Sequence, residues 1–184
     1  MSTPAPVLRP ATPDDLPAVA EIYAHYVAHT VATFDEQPPA LDAWRIRLAD
    51  AGERGLPFLV AETVAETAGE IAGEIAGYAY AGPWRPKPAY RHTVEDSVYL
   101  APGRTGNGLG GLLLAALITG ATEAGARQMV AVIADGGGRT SVGLHRRLGF
   151  AEVGRLVGVG HKHGRWVDTL LMQRPLAVDR AATG

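Results

Sequence analysis

A glycine-rich stretch between residues 97 and 117, SVYLAPGRTGNGLGGLLLAAL, has the clearest potential for ligand chemistry in this chain. Glycine has no Cβ atom, so a glycine loop allows the backbone to approach a ligand closely. The apolar residues behind the loop predict a helix that starts near Gly108, and a helix start offers unpaired N–H groups and a positive dipole end. Together these features predict an anion cradle, most often one for phosphate.

Two kinds of phosphate ligand fit such a loop. Gly106, Gly108 and Gly111 satisfy the dinucleotide pattern G-x-G-x-x-G, and Asp135 ends the next predicted strand, where a ribose-binding acid would lie. However, the segment APGRT separates the strand from the first glycine, and the loop comes after several strands and two helices. Both features weaken the dinucleotide interpretation. A P-loop is excluded because no Gly-Lys-Ser/Thr follows. A third interpretation of the loop depends on a family resemblance, which is described below.

The elements that must position this loop predict a mixed α/β sheet in the order β α α β β β α β α β β. Strands are predicted at 7–9, 58–62, 75–81, 93–100, 129–134, 153–159 and 166–172. Helices are predicted at 12–29, from 41 to a stop at 52–55, at 108–124, and from a cap at Thr140 or Ser141 to Leu148.

Several packing predictions follow from the same patterns. In the third helix, Leu109, Leu112, Leu113, Ala116 and Leu117 should face the core. The apolar run 129–134 should be a strand covered on both faces. On the strand 93–100, Asp96 should point to the face opposite Glu95. The period-four repeat in residues 60–75 is expected to be a duplicated hairpin tip with little functional weight.

Composition limits the function classes. A length of 184 residues with 47% hydrophobic and 20% charged residues predicts one domain over 1–176, followed by a loose tail at 177–184. The formal charge of −2 gives no support for a nucleic-acid partner, and the chain contains no cysteine. No apolar run is long enough to span a membrane, and the first residues do not have a signal-peptide pattern. A cytoplasmic location is therefore expected.

Two separated motifs resemble the GNAT superfamily of acyl-CoA-dependent N-acetyltransferases: Val98-Tyr99-Leu100 followed by Gly108-Leu109-Gly110 and an apolar helix, and the later LHRRLGF of residues 144–150. Further segments over residues 7–176, among them ATFDEQPP, AYAGPWRPKPAYRHTVEDSVYL and GHKHGRWVDTLLMQRPL, are similar to phosphinothricin and methionine sulfoximine N-acetyltransferases. The resemblance implies a GNAT fold, acetyl-CoA as co-substrate without a metal, a small amino-acid-like acceptor and a homodimer.

The resemblance also assigns two catalytic residues. Glu95 lies in the Thr-Val-Glu position of the subfamily's general base, which acts through water, and partial burial would raise the carboxyl pKa toward that task. The alternative for Glu95 is a salt-bridged acid on a strand face. His145 occupies the position of a tyrosine near the thiol in many relatives, so it could protonate the thiolate or assist Glu95. The alternative for His145 is a helix histidine whose ring is satisfied by a neighbour.

Donor binding is assigned to the strand end and the glycine loop. Backbone groups at the free strand edge can hydrogen-bond the pantetheine amides as an added strand would. Thr105 stands where the superfamily usually has Arg or Gln, so Arg104 is the candidate for the pyrophosphate. Gly138 stands where many relatives have Asn. The predicted donor-binding residues are Val98, Tyr99, Leu100, Arg104, Thr105, Gly106, Asn107, Gly108, Leu109, Gly110 and Gly111.

Acceptor binding is assigned to an aromatic and basic set. Arg85 and Lys87 match the subfamily's cations, which suit the acidic groups of an amino-acid analogue. Apolar pocket walls are predicted from Thr33, Phe34, Trp84 and Tyr90. The turn with His161, Lys162, His163 and Trp166 matches the subfamily's GxKHGxW pattern, and either closes over the site or lies at a dimer interface. His161 and His163 lack the further ligands of a metal site.

Two other functions stay open at this point. One is an amine acetyltransferase with a different acceptor. The other is a non-catalytic acyl-CoA sensor, which would need the glycine cradle but neither Glu95 nor His145.

Overall fold

The computed structural model describes residues 6–67, 70–136 and 139–176, and its elements follow the predicted order. The strands are β1 (Val7–Pro10), β2 (Phe58–Thr67), β3 (Glu70–Pro83), β4 (Thr93–Leu100), β5 (Gln128–Ala134), β6 (Ala151–Lys162) and β7 (Arg165–Pro175). The helices are α1 (Leu16–His29), α2 (Leu41–Glu53), α3 (Leu109–Glu123) and α4 (Arg139–Arg147). The predicted tail at 177–184 lies outside the described residues. No described helix combines the length and the apolarity needed to cross a membrane.

All seven strands form one sheet in the order β1-β2-β3-β4-β5-β7-β6. The pair β4–β5 is parallel, whereas the other neighbours are antiparallel. The connection from β4 to β5 runs through α3, as a parallel crossover requires.

The parallel ladder between β4 and β5 is short. It pairs Thr93–Glu95 with Gln128–Val130. Beyond these pairs β4 stays with β3 as far as Leu100, and β5 stays with β7 as far as Ala134. The two strands therefore separate after Glu95, and a gap opens in the middle of the sheet.

One face of the sheet is aromatic. Tyr78 and Tyr99 lie opposite each other on β3 and β4, and Trp44 of α2 packs edge-on against Tyr78 with ring centroids 5.7 Å apart. Tyr23 of α1 packs edge-on against Tyr99 at 5.1 Å. Edge-to-face pairs add to the free energy of burying these rings, so α1 and α2 are held over this face.

The other face carries small residues under α3. Because the sheet presents Ala79, Ala81 and Ala131 there, the leucines of α3 can pack close to the strands. The buried residues of the helix are Leu109, Leu113, Leu114, Leu117, Ile118 and Ala121. The prediction for Leu112 is wrong, since this side chain is 50% exposed. The buried stripe instead includes Leu114 and Ile118.

Two local predictions need correction. The repeat in residues 60–75 lies in the β2–β3 hairpin, as expected, but it forms the paired strands as far as Thr67 and Glu70. Helix α4 begins at Arg139, so Thr140 and Ser141 lie inside its first turn and neither is its cap.

Gly77→Ala should lower the free energy of unfolding by about 1–3 kcal/mol, because it overpacks the β3–β4 pair. An added Cβ would lie 2.6 Å from Leu100 Cδ2 and 2.9 Å from the main-chain oxygen of Tyr99, and that main-chain oxygen cannot move aside freely. Denaturant unfolding measures the difference. Gly154→Ala is the matched control, since a Cβ at Gly154 meets no atom within 4 Å. Equal stability of the two variants would contradict this account of the sheet.

Candidate active site

A cavity of about 500 Å³ occupies the gap between β4 and β5. Glu95, the last ladder residue of β4, lines it together with the residues beyond the ladder, Asp96–Leu100 on β4 and Ala131–Ala134 on β5. The edges of these two segments face each other without pairing, which leaves backbone donors and acceptors free to bind an extended ligand. The prediction that β5 is covered on both faces is therefore wrong at Val132, which is 39% exposed within the gap.

The two faces of the sheet meet in this cavity. In the β3–β4 register Glu95 pairs with Gly82, Ser97 with Tyr80 and Tyr99 with Tyr78, so Glu95 lies on the aromatic face, on the side of α1. Asp96 lies on the opposite face, toward α4, as the alternation predicts. Two adjacent carboxylates thus enter the cavity from opposite faces.

Glu95 is in an unusual electrostatic environment. Burial raises the pKa of its carboxyl to about 7, the negative charge of Asp96 adds to the rise, and the charge of Arg85 opposes it. A carboxylate with a pKa near 7 is a far better proton acceptor than one at the ordinary value. None of the described ion pairs includes Glu95, so the salt-bridge alternative has no partner for this residue among the described side chains.

His145 is tied to Asp96. Its Nε2 lies 2.9 Å from Asp96 Oδ2, and Nδ1 donates to the carbonyl oxygen of Ser141 at 2.7 Å. Burial lowers the pKa of the ring. The hydrogen bond to Asp96, the charge of Asp96 and the hydrogen bond to the Ser141 carbonyl all raise this pKa, and their combined effect is larger, so the net shift is upward. Asp96 therefore stabilises the imidazolium form relative to a free histidine. The ring lies on the face opposite Glu95 and is not hydrogen-bonded to it.

The glycine loop has the conformation that the cradle requires. Gly103, Gly106 and Gly108 have φ of 79°, 87° and 79°, values that favour glycine. Gly108 is the cap of α3, and a Cβ at any of the three positions would meet no protein atom within 4 Å. The loop surface is thus open to a ligand.

The predicted donor-binding residues do not all lie in the cavity. Val98, Tyr99, Leu100, Thr105 and Gly110 line it. Leu109 packs in the core, and Gly106, Asn107, Gly108 and Gly111 belong to the loop and helix start beside it. Arg104 Nη2 lies 2.5 Å from Glu74 Oε2 on β3, so its candidate anion partner would have to compete with a carboxylate. Gly138 lies outside the described residues.

The predicted acceptor-binding residues divide into two groups. Thr33 and Phe34, from the loop after α1, line the cavity. Arg85 and Lys87 line a separate cavity of about 270 Å³ beside the start of β4, together with Arg54, Arg91 and His92. The expectation of one shared wall is wrong for Trp84 and Tyr90. After Pro83 the chain turns to the Thr93 end of β4, where Trp84 N donates to Thr93 O at 3.2 Å.

Sequence reasoning missed three contributors to the cavity. Asp96 was placed only on a strand face, although a buried acid needs a partner and His145 was the candidate within reach. Tyr23 lies within the first predicted helix, and its hydroxyl bonds both Thr33 Oγ1 and Asp35 Oδ2. Tyr26 donates to the carbonyl oxygen of Leu100 at 2.9 Å. A cluster of tyrosines around one strand end is the signal that could have indicated these roles.

Comparison with known proteins shows what this chain is similar to. Residues 19–150 match the acetyltransferase (GNAT) family. A phosphinothricin N-acetyltransferase of Alcaligenes faecalis is 47% identical over 163 residues, covering 89% of this chain and 79% of that protein. An L-methionine sulfoximine/L-methionine sulfone acetyltransferase of Pseudomonas aeruginosa is 42% identical over 175 residues, covering 95% and 97%.

A solved structure is similar as well. The crystal structure of a GNAT superfamily phosphinothricin acetyltransferase from Sinorhizobium meliloti in complex with acetyl-CoA has a TM-score of 0.84 and 43% identity, covering 95% of this chain and 90% of that one. The chain therefore belongs to the acetyltransferase (GNAT) family. The predicted fold and the predicted enzyme class, an acetyl-CoA-dependent N-acetyltransferase, are confirmed. In the described part of the chain, no group of three or more His, Asp or Glu residues could hold a metal ion.

Glu95→Gln should raise the free energy of unfolding by about 3 kcal/mol at pH 8 and change it little near pH 4. The carboxyl pKa is higher in the folded protein than in the unfolded chain, so ionisation between about pH 4.5 and pH 7 costs folding free energy. Glutamine does not ionise and avoids this cost. Denaturant unfolding at the two pH values measures the effect. Glu53→Gln removes an exposed charge as the control, and an equal gain there would argue against burial as the cause.

Proposed function

We propose that this enzyme transfers the acetyl group of acetyl-CoA to the α-amino group of phosphinothricin, methionine sulfoximine or a similar small amino-acid analogue. The observation that carries the proposal is Glu95, a partly buried carboxylate with a pKa of about 7 at the gap between β4 and β5. The names of the relatives indicate the acceptor class, since similar proteins are named for phosphinothricin and methionine sulfoximine.

The two faces of the sheet divide the substrates. The glycine loop and the start of α3 lie on the side of Asp96 and His145, and their open backbone suits the phosphates of the donor. Unpaired edges of Val98–Leu100 and Ala131–Ala134 suit its amide-bearing arm. The acceptor lies on the opposite side, next to Glu95 and below Thr33 and Phe34.

Glu95 acts as general base. When bound, acetyl-CoA supplies the reactive thioester and a thiolate leaving group. The carboxylate accepts one proton from the acceptor ammonium, directly or through water, and the freed amine then forms the new C–N bond as the C–S bond breaks. Glu95 releases this proton to solvent after transfer, so the residue is regenerated and no covalent enzyme intermediate is needed.

His145 is the proposed acid for the thiolate. Asp96 orients the ring and stabilises its doubly protonated form, so Nε2–H is available if the developing thiolate replaces Asp96 as its acceptor. The ring regains a proton as the attacking nitrogen loses its second one, which balances the reaction. Asp96 is a positioning residue in this scheme, because it acts through His145.

Arg85 and Lys87 are the proposed partners of the acceptor's acidic groups. None of the described ion pairs contains either cation, and the charge of Arg85 already acts on Glu95. The residues that line the cavity in the gap include neither lysine nor arginine. An acceptor carboxylate at the mouth of the gap would therefore find its cations in the loop of residues 84–92 between β3 and β4, which we name the basic loop.

A homodimer in the cytoplasm is part of the proposal. Strand β6 is an edge strand of the sheet and exposes Val153, Leu156, Val157 and Val159, and Trp166 of β7 is 73% exposed. An exposed apolar edge of this kind favours contact with another chain.

Release of free CoA from acetyl-CoA tests the function with phosphinothricin, methionine sulfoximine, methionine sulfone and the ordinary amino acids as acceptors. We expect turnover with the analogues and a loss of about 100-fold or more in kcat/KM for Glu95→Gln, the scale of general-base catalysis. Acetyl-CoA binding should be nearly unchanged in this variant, because Glu95 lies on the acceptor side.

Three outcomes separate the alternatives. Turnover with other amines but not with phosphinothricin, methionine sulfoximine or methionine sulfone would show that the acceptor belongs to a different class. Tight acetyl-CoA binding without any turnover would support a sensor and contradict the proposal. A Glu95→Gln enzyme with the wild-type rate would remove Glu95 from the mechanism, provided that Glu53→Gln is equally active.

A further inference from the structure

A buried lysine lies at the end of β6. Lys162 is 3% exposed, and its Nζ donates to the main-chain carbonyl oxygen of Thr33 at 2.7 Å. Burial lowers the pKa of this ammonium, and the charges of Asp35 and Glu36 oppose the shift. A buried ammonium costs free energy unless a partner compensates for lost hydration. The carbonyl oxygen of Thr33 is therefore the partner that compensates the buried ammonium of Lys162 for its lost hydration.

The end of the β6–β7 hairpin makes two further contacts with the loop of residues 30–36, which we name the roof loop. His163 Nε2 donates to the carbonyl oxygen of Thr30 at 3.2 Å. The ring of Phe34 lies directly over Gly160, where an added Cβ would be 2.3 Å from ring carbons. The end of the β6–β7 hairpin thus holds the roof loop through the main-chain oxygens of Thr30 and Thr33 and through the contact of Phe34 with Gly160.

Helix α1 holds the roof loop from the other side. The hydroxyl of Tyr23 lies 2.5 Å from Thr33 Oγ1 and donates to Asp35 Oδ2 at 2.8 Å. The loop is therefore fixed between α1 and the hairpin, with Thr33 and Phe34 facing the cavity. Loss of either support would free the part of the cavity wall that lies on the Glu95 side.

We propose that Lys162 is a positioning residue that holds the roof loop over the acceptor side of the cavity, and that Gly160 sets the place of Phe34 in the same wall. The inference rests on the proposed function for its acceptor. With both contacts in place the wall is closed around a small amino-acid-like acceptor. Loosening it should weaken acceptor binding and leave the donor side, beyond the gap, unaffected.

The test compares Lys162→Met with Arg165→Met, which removes an exposed cation from the same hairpin turn. Lys162→Met should raise the KM for the preferred acceptor about tenfold, the scale of losing a hydrogen bond to a charged group. In Lys162→Met the KM for acetyl-CoA should change by less than about twofold. Arg165→Met should change neither the acceptor KM nor the acetyl-CoA KM. A rise in both KM values, or the same change in Arg165→Met, would overturn the proposal.

Hydrogen–deuterium exchange of residues 30–36 provides a measurement that does not depend on turnover. Lys162→Met should speed exchange in this segment about tenfold, while α3 keeps its protection. If the enzyme acetylates none of the acceptors, the exchange measurement still tests whether Lys162 holds the roof loop. The proposal for Lys162 and the proposed function can therefore fail separately. Unchanged exchange in the roof loop would show that Lys162 does not hold it.

Gly160→Ala reaches the same wall without altering a charge. The new Cβ must displace the Phe34 ring, so the acceptor KM should rise and the acetyl-CoA KM should stay constant. Gly154→Ala on the same strand is its control, since it meets no neighbouring atom. An unchanged acceptor KM in Gly160→Ala would remove Gly160 and Phe34 from the proposal, even if Lys162→Met fails to fold.

Discussion

The short parallel ladder between β4 and β5 is the constraint on which the rest of the structure depends. It pairs only Thr93–Glu95 with Gln128–Val130, and each strand then remains with its antiparallel partner. A continuous ladder would have filled the middle of the sheet with hydrogen bonds and side chains. Because it ends, the sheet contains a cavity with backbone groups on two facing edges, reachable from both faces.

The end of this ladder also explains the different roles of two neighbouring acids. Glu95 and Asp96 are adjacent, so they point to opposite faces and meet different surroundings. Asp96 is paired with His145. Glu95 has no ion-pair partner among the described residues, and burial raises the pKa of its carboxyl. Neighbouring carboxyls that meet different surroundings can take different roles in a catalytic site. The proposed division between base and positioning residue follows from that difference.

Local features of the site could be predicted from the sequence, because they depend on neighbours along the chain. The strand 93–100, the opposite faces of Glu95 and Asp96, and the helix start behind Gly108 are all found as expected. Leu112 was misplaced because α3 is apolar on more than one side, so periodicity could not choose its buried stripe.

The long-range features could not be predicted in this way. The gap arises from the pairing of β4 and β5 with their other neighbours, which no local pattern encodes. The partner of His145 is 49 residues away, and the partner of Lys162 is 129 residues away. The basic loop has the residues expected of an acceptor site. Its path depends on the turn after Pro83, and this turn places Arg85 and Lys87 in the lining of a different cavity.

A crystal structure of the protein with CoA and phosphinothricin tests the central claim most directly, namely that two substrates meet through the gap from opposite faces. We expect the pantetheine arm between Val98–Leu100 and Ala131–Ala134, with the acceptor nitrogen on the Glu95 face below Phe34. An acceptor nitrogen on the face of Asp96 and His145, or a pantetheine arm outside the gap, would contradict it.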